Sequence, residues 1–390
     1  MTNYSIPYGR QHITDEDVAA VSAALRADYL TTGPRVAAFE EEFAAYVGAR
    51  YAVAAANGTA ALHLCTLALD VRPGQRVITT PITFAASANC VRYAGGEVWF
   101  ADIDPETLTL DPAKTRALLA AHPPGFFHGL IPVDFAGYPV NLEAFRQLAD
   151  EYGLWIIEDA CHAPGGWFTD GAGKVQRCGN GAYADLAIFS FHPVKHIASG
   201  EGGMVTTNDR ELYDKLMILR THGITREPSK LRRPDEGGWY MEMQELGYNY
   251  RIPDILCALG SSQLRRADEN MIRRQKIAAR YDREFGAHGD KLRIHGIPAD
   301  ASTLHAFHLY VIEVADRRGL YDFLREQGIY AQVHYIPVHT MPYYADIGYD
   351  AADLSRSEAY YERGLSLPMY PTLTDEEQGW VIAKVLEYLS

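Results

Sequence analysis

The sequence predicts an α/β protein with a mostly parallel sheet covered by helices, followed by a smaller α+β domain. Apolar strand-like runs alternate with helical patterns through the first half of the chain, as in βαβ units. Those runs are continuously apolar, which is typical of strands buried on both faces. A chain of 390 residues is also too long for one compact core. We expect a large domain over residues 1–252 and a small C-terminal domain over residues 253–390.

The large domain is predicted to begin with two helices and to continue as strands separated by helical segments. Thr14 is the expected N-cap of the first helix, and Pro34 and Gly48 mark the start and end of the second. The Gly-rich insert at 169–181 is expected to be a surface turn without a role. The predicted strands cover residues 51–56, 76–81, 97–103, 128–135, 154–160, 184–191 and 202–208.

The second half of the chain is predicted to hold a long loop, a long helix and the small domain. Residues 224–250 show no clear period, and we place this loop at a subunit interface. A long helical pattern follows from residue 254. The small domain is predicted to contain strands at 307–314 and 331–338, a helix at 317–328 and a terminal helix that begins near 374.

Composition and charge argue against several classes of function. The net charge is −14 and no Lys/Arg-rich block is present, so we expect no nucleic-acid binding, although a local pocket for a small anion is compatible with this charge. No apolar run approaches ~18 residues and the N-terminal segment lacks a secretory pattern, so we expect a cytoplasmic protein without a membrane span. The five cysteines form no CxxC pair, which favours free thiols.

The stretch FSFHPVKHIASGEGG, residues 189–203, poses a choice between a metal site and a lysine site. His192 and His196 have the spacing of two ligands on one helical face, but a zinc site needs a third ligand and the glutamate of an HExxH motif is absent. Lys195 follows a buried apolar run, and a lysine there faces a pocket where desolvation lowers its pKa and makes the amine nucleophilic. The pattern favours a Schiff-base lysine over a metal site and over a solvated lysine.

A Schiff base needs an electron sink, and pyridoxal phosphate (PLP) is the common one. Asp159, at a strand end, could pair with the pyridinium nitrogen. The NGT turn at 57–59 and Ser190 could bind the phosphate, and Phe84 could stack on the ring. Each feature has an ordinary alternative: a generic turn, a helix N-cap at Asp159 and a core aromatic at Phe84. All of these features occur together in one chain, in the order turn, aromatic residue, aspartate, serine and lysine. This combination favours a PLP site.

Long motifs resemble the DegT-type sugar-nucleotide aminotransferases almost from end to end. The resemblance implies fold type I of the PLP-dependent transferases, which is the fold of aspartate aminotransferase. The combination of SFHPVKHI and EDACHA is most similar to the branch that acts on UDP-4-keto-6-deoxy-N-acetyl-L-altrosamine in pseudaminic acid synthesis. The motifs are LTTGPRVAAFEEEFAAYVGARYAVAAANGTAALHL, TFAASANCVRYAGGEVWFADID, IIEDACHAPGG, FSFHPVKHIASGEGGMVTTND, GYNYRIPDILCALGSSQL and HYIPVH.

The resemblance implies roles for individual residues. Lys195 and Asp159 would be catalytic, with Lys195 forming the Schiff base and moving the proton, and no metal is expected. Asn249 would reach the phosphate of the neighbouring subunit's cofactor, and His162 would lie near the cofactor's 3-hydroxyl group. The implied cofactor-binding residues are Gly58, Thr59, Phe84, Asp159, His162, Ser190, Lys195 and Asn249. The implied substrate-binding residues are Tyr29, Thr31, His334 and Tyr335.

The implied reaction is transamination of a UDP-4-keto-6-deoxy-N-acetylhexosamine, with glutamate as the donor, in a homodimer whose active sites are shared. Family members with His at the lysine position dehydrate the sugar instead, so Lys195 favours transamination. The usual SGT motif reads NGT here, with Asn57 at the strand end. Amination of another keto-sugar nucleotide (GDP-perosamine or 3-amino type) or of a cyclitol, and a non-catalytic PLP-binding regulator, stay open. A Rossmann dehydrogenase is disfavoured because NGTAAL is not GxGxxG.

Overall fold

The computed structural model describes residues 4–296, 301–348 and 353–390. Its strands are β1 (Ile6–Pro7), β2 (Tyr51–Ala55), β3 (Arg76–Thr79), β4 (Glu97–Phe100), β5 (Gly129–Ile131), β6 (Trp155–Asp159), β7 (Trp167–Thr169), β8 (Val175–Arg177), β9 (Leu186–Ser190), β10 (Gly203–Thr207), β11 (Ile224–Thr225), β12 (Glu242–Met243), β13 (Leu292–Ile294), β14 (Thr303–Leu304), β15 (Tyr310–Val314), β16 (Ile329–Tyr330) and β17 (Gly364–Leu367). Its helices are α1 (Asp15–Leu25), α2 (Pro34–Val47), α3 (Gly58–Ala68), α4 (Ala86–Tyr93), α5 (Pro112–Ala120), α6 (Leu142–Tyr152), α7 (Arg210–Leu219), α8 (Asp254–Leu264), α9 (Ala267–Phe285), α10 (Arg317–Glu326), α11 (Pro342–Ile347), α12 (Ser355–Arg363) and α13 (Asp375–Leu389).

Within the described ranges, seven strands form the central sheet in the order β2-β10-β9-β6-β5-β3-β4. Neighbouring strands are parallel except around β10, which is antiparallel to both β2 and β9. The seven strands predicted for the large domain are therefore confirmed, and so is the mostly parallel sheet. Because six strands share one direction, the residues that follow them meet at one edge of the sheet, where α/β proteins bind ligands.

Local signals in the sequence explain where the helices begin and end. The Thr14 N–H donates to the Asp17 carboxylate at 2.9 Å, which caps α1 as predicted. Gly48 ends α2 with a φ of 85°, a left-handed conformation that glycine adopts without a side-chain clash. The long helix predicted from residue 254 is two helices, α8 and α9, which are separated at residues 265–266.

The small domain has an antiparallel sheet, β13-β15-β17, packed against α9, α10 and α13. The predicted strand at 331–338 is wrong, because only Gln332 forms a ladder bridge there, to Ser366. Beyond it the chain turns inward, and His334 Nδ1 lies 2.9 Å from Ser366 Oγ. Strand β16, just before this segment, pairs in parallel with the N-terminal β1, and Ile6 and Ile329 are buried in the small-domain core.

Two other segments differ in part from the prediction. Residues 224–250 contain a short antiparallel ladder between β11 and β12 within an otherwise irregular, largely exposed stretch. The insert at 169–181 forms part of the β7–β8 hairpin, and Gln176 and Cys178 within it are buried, so only its tip is a surface turn. The division at residue 252 stays a prediction. No helix in the described ranges is long and apolar enough to cross a membrane.

Candidate active site

A cavity of about 440 Å³ lies beyond the carboxyl ends of the central strands. Tyr29 and Thr31 do not line it; they are exposed between α1 and α2. Asn249 is also exposed and forms a ladder bridge with Thr221 outside the cavity. The other predicted site residues all line the cavity: Gly58, Thr59, Phe84, Asp159, His162, Ser190, Lys195, His334 and Tyr335.

The N-terminus of α3 forms one end of the cavity. Asn57 caps this helix, because its Oδ1 accepts a hydrogen bond from the Ala60 N–H at 2.8 Å. The next two N–H groups, of Gly58 and Thr59, have no acceptor within the described chain. A Cβ added at Gly58 would lie 3.0 Å from the Cβ of Ser190, so glycine lets the Ser190 side chain sit against the helix terminus. Two free N–H groups and a hydroxyl suit a phosphate.

Asp159 ends β6 and presents a buried carboxylate to the cavity. Its Oδ2 accepts from the Ser87 hydroxyl at 2.6 Å, and its Oδ1 accepts from the Cys161 N–H at 3.2 Å. No lysine or arginine of the described chain forms an ion pair with it. No helix begins there, so the N-cap alternative is wrong. A buried carboxylate without a lysine or arginine partner in the described ranges is suited to a cationic ligand atom.

Lys195 lies in a turn after β9, and its backbone N–H donates to the His192 carbonyl at 2.8 Å. Burial lowers the pKa of the Lys195 amine below its usual value, while Cys161 and Asp159 oppose that shift. Residues 192–196 are not helical: His192 is exposed, whereas His196 is buried with Nε2 3.0 Å from the Ala306 carbonyl. The two histidines therefore do not share one helical face: Lys195 and His192 line the cavity, whereas His196 is buried against Ala306.

Aromatic and imidazole side chains form another part of the cavity lining, which we call the aromatic wall: Tyr8, Phe84, His162, His334 and Tyr335. The Phe84 side chain is 62% exposed and its ring lies 6.3 Å from that of Tyr335. The Tyr335 hydroxyl is 3.2 Å from His162 Nε2. Burial lowers the pKa of His334 to about 3 and that of His162 well below its usual value, so both imidazoles are neutral near pH 7.

Sequence reasoning missed several residues that line the cavity. Tyr8 arrives through the pairing of β1 with β16, a contact across more than 300 positions that no local pattern reveals. Ser87 stands three residues after Phe84 in the first turn of α4, and that spacing could have placed both on one helical face. Cys161, His192 and Glu201 also line the cavity and belong to motifs already singled out.

A second group of titratable side chains lies close to Asp159. Asp134, Glu158 and Cys178 are buried, and their ligand atoms lie within 4.8 Å of one another. Backbone N–H groups of Val140 and Gly179 donate to the two carboxyl groups. Burial raises the pKa of Asp134 to about 7 and, together with the Asp134 charge, raises that of Glu158 well above its usual value. The pair therefore retains a proton near neutral pH, which limits the negative charge beside Asp159.

The cavity thus combines a desolvated amine, a buried carboxylate and a cradle for a phosphate. An amine of this kind attacks carbonyl carbons, and the cradle holds a phosphorylated ligand in place. This set of groups is compatible with a PLP site.

Sequence comparison agrees with this chemistry. The model of the DegT/DnrJ/EryC1/StrS aminotransferase family matches residues 11–386. The spore coat polysaccharide biosynthesis protein SpsC of Bacillus subtilis is 37% identical over 98% of this chain and 97% of its own length. The UDP-4-amino-4,6-dideoxy-N-acetyl-beta-L-altrosamine transaminase of Campylobacter jejuni is 34% identical over 96% of this chain and 95% of its own length.

Solved structures give the same result. PseC of Helicobacter pylori, an aminotransferase involved in the biosynthesis of pseudoaminic acid, matches with a TM-score of 0.87 and 29% identity over 99% of both chains. The PLP form of Spr1654 from Streptococcus pneumoniae matches with a TM-score of 0.87 and 27% identity over 99% of this chain and 100% of that chain. The predicted α/β fold of the PLP-dependent aminotransferases is confirmed, and these relatives imply PLP as the cofactor. The chain belongs to the DegT/DnrJ/EryC1/StrS aminotransferase family.

Proposed function

We propose that this protein transfers an amino group from glutamate to a UDP-4-keto-6-deoxy-N-acetylhexosamine and so forms the 4-amino sugar nucleotide. The observation that carries this proposal is the grouping of Lys195, Asp159 and the N-terminus of α3 in one cavity. Family membership supports amination of a sugar. Similarity to the C. jejuni transaminase and to H. pylori PseC supports the choice of sugar.

The cavity residues fit PLP on their own geometry. The N–H groups of Gly58 and Thr59, with the Ser190 hydroxyl, would hold the phosphate. The Asp159 carboxylate would hold the proton on the ring nitrogen, and the exposed face of Phe84 would cover the ring. When bound, PLP withdraws the electrons left behind as a proton leaves the carbon that bears the amino group.

Lys195 supplies the proton-transfer group of the proposed reaction. Its Nζ would take the proton from the amino-bearing carbon of glutamate and return a proton to the sugar carbon in the second half-reaction. A lowered pKa increases the fraction of neutral amine, which is the form that accepts a proton. Burial lowers the pKa of the His162 and His334 imidazoles, so both are weaker bases than the Lys195 amine and do not compete with it for the proton.

We further propose that two copies of the chain complete each site. Lys195 is the only lysine or arginine among the described residues that line the cavity, so this chain alone offers little to bind the carboxylates of glutamate or a diphosphate. Asn249, Tyr29 and Thr31 are exposed and lie outside their own cavity, as expected for residues that reach a neighbour's site. The exposed side chains of Trp239 and Leu246 add apolar surface near Asn249 in the sequence.

The substrate is tested by incubating the PLP-loaded protein and glutamate with a panel of keto-sugar nucleotides. We expect an epimer of UDP-4-keto-6-deoxy-N-acetylhexosamine to give a kcat/KM at least about tenfold above those of GDP-4-keto and 3-keto sugars. A sugar nucleotide that fails to make polar contacts worth ~1.4 kcal/mol in the transition state loses that factor. Mass spectrometry reports amination, and NMR locates the new amine at C4. A preference for a GDP or 3-keto sugar would overturn the substrate but not the transamination. No amination of any member would overturn transamination.

Gly58→Ala is expected to weaken PLP binding by roughly 10- to 100-fold, because an added methyl group meets Ser190 and disturbs donors to a charged phosphate. The measurement is a spectroscopic titration of the apoprotein with PLP. Gly286→Ala is the matched control, since a Cβ there meets no atom within 4 Å. Equal affinity of the Gly58→Ala variant and the control would remove the α3 N-terminus from the phosphate site.

A further inference from the structure

Two hydroxyl groups at the start of α4 are joined to the buried carboxylate of the cavity. The Ser87 hydroxyl lies 2.6 Å from Asp159 Oδ2, and the Thr83 hydroxyl lies 2.9 Å from that of Ser87. Thr83, Ser87 and Asp159 all line the cavity, yet each of them is at most 5% exposed. A hydroxyl group thus meets the carboxylate from a separate segment, across 72 positions of the chain.

The direction of these two hydrogen bonds follows from the donors available. An ionised carboxylate can only accept, so Ser87 must give its one hydroxyl hydrogen to Asp159. The Thr83 hydroxyl must then donate to the Ser87 oxygen, because the Ser87 hydrogen is already used. At 2.6 Å the bond to Asp159 has the length of a charge-assisted O–H···O⁻ bond. The two hydroxyls therefore form an ordered relay that ends on Asp159 Oδ2.

Asp159 interacts with several other groups, and their effects on its charge are divided. The Cys161 N–H donates to Oδ1 at the longer distance of 3.2 Å. Lys195 favours the ionised carboxylate, whereas the nearby carboxyl groups of Asp134 and Glu158 oppose it. Further titratable groups that interact with Asp159 are neutral near pH 7, because burial raises their pKa: the thiols of Cys65, Cys90 and Cys161 and the phenol of Tyr335.

The Ser87 hydroxyl acts on the protonation of this carboxylate. A hydrogen bond donated to a carboxylate favours its ionised form over its protonated form. In the proposed site the Asp159 carboxylate shares a proton with the ring nitrogen of PLP, so the donor favours the residence of that proton on the nitrogen. A positively charged ring nitrogen withdraws electrons more strongly than a neutral one. The relay therefore acts on the electronic state of the cofactor through one aspartate.

We propose that Ser87, ordered by Thr83, is a positioning residue that holds Asp159 as an ionised carboxylate and so keeps the shared proton on the ring nitrogen of bound PLP. This inference rests on the proposed function, because it takes PLP as the cofactor. It gives Ser87 an effect on both half-reactions that is transmitted through Asp159.

The test reads the ring nitrogen directly, by ¹⁵N NMR of the protein loaded with PLP that is labelled at this atom. Ser87→Ala is expected to move the resonance toward that of the unprotonated ring. It should also slow the glutamate half-reaction roughly tenfold, a loss typical of one hydrogen bond to a charged group. Ser87→Cys keeps the shape and a weak donor, so both readouts should change in the same direction by less. Adding Ser87→Ala to Asp159→Asn should cost less than about twofold more, because the carboxylate through which Ser87 acts is gone.

Ser357→Ala is the matched control, since Ser357 donates to the buried Asp102 carboxylate outside the cavity lining. It should lower the thermal midpoint, as Ser87→Ala does, without moving the ¹⁵N resonance or the rate.

Two results would overturn the inference while PLP is bound. One is an unchanged ¹⁵N resonance in Ser87→Ala; if that variant does not fold, Ser87→Cys decides. The other is a further tenfold loss when Ser87→Ala is added to Asp159→Asn, which would show that Ser87 acts by another route. Both readouts need no sugar, so they do not depend on the identity of the acceptor. A protein that binds no PLP would instead overturn the proposed function together with this inference.

Discussion

Lys195→Ala is expected to lower the rate of transamination by more than about 10⁴-fold. One positioned acid–base group contributes ~10²–10⁴-fold, and Lys195 would also supply the nucleophilic amine, so both contributions disappear together. No other lysine lines the cavity within the described residues to replace it. Rates are measured as glutamate-dependent formation of amino sugar under saturating PLP.

The variant protein should fold, because the backbone bond from residue 195 to the His192 carbonyl does not need the side chain. Its thermal midpoint is compared with that of the unmodified protein. Lys215→Ala is the matched control, since Lys215 pairs with Asp70 at 2.9 Å on the surface, away from the cavity. A folded Lys195→Ala protein with near-normal turnover would exclude Lys195 as the catalytic amine and the proposed mechanism with it.

Asp159→Asn should produce the second large loss, a fall in turnover of about 10²- to 10³-fold, the range seen when one preorganised electrostatic group is removed. The substitution preserves shape but removes the negative charge. An amide oxygen can still accept from the Cys161 N–H, and the Ser87 hydroxyl can turn to accept from the amide, since it already lies 2.9 Å from the Thr83 hydroxyl. The structure should therefore persist while the anionic partner of the cofactor's ring nitrogen is lost.

Two measurements check the role of Asp159. The affinity for PLP should fall together with turnover, and the absorbance of the bound cofactor should respond to pH at a lower pH than in the unmodified protein, because the ring nitrogen has lost its anionic partner. Asp214→Asn is the control, as Asp214 pairs with Arg210 on the surface of α7. If Asp159→Asn keeps both the affinity and the rate, another group must hold the ring nitrogen.

The central sheet and the cavity residues at the strand ends could be predicted from the sequence because both depend on local signals. Continuous apolar runs gave the strands, and polar residues at their ends gave Asp159, Ser190 and Lys195. Asn57, the departure from the usual SGT motif, proves to be an N-cap, a role that asparagine fills as well as serine. Residues of this kind can be recognised from the sequence because each stands at the end of a strand or at the start of a helix.

The aromatic wall was less predictable because it is assembled from distant segments. Tyr8 reaches the cavity through pairing with β16, and the supposed strand at 331–338 fails because its residues turn inward to Ser366 and the cavity. Its apolar and polar alternation resembles a strand, but tertiary contacts override that preference. Asn249, Tyr29 and Thr31 do not line the cavity, and Asn249 instead forms a backbone bridge with Thr221.

The pairing of β1 with β16 has a consequence for how such enzymes diversify. Tyr8 and Tyr335 are held by segments anchored in the small-domain core through Ile6 and Ile329, whereas Asp159 ends a strand of the central sheet. Mutations in the two wall segments can reshape the space for a new acceptor without moving the carboxylate. Related enzymes can therefore differ in substrate while they keep the same catalytic chemistry.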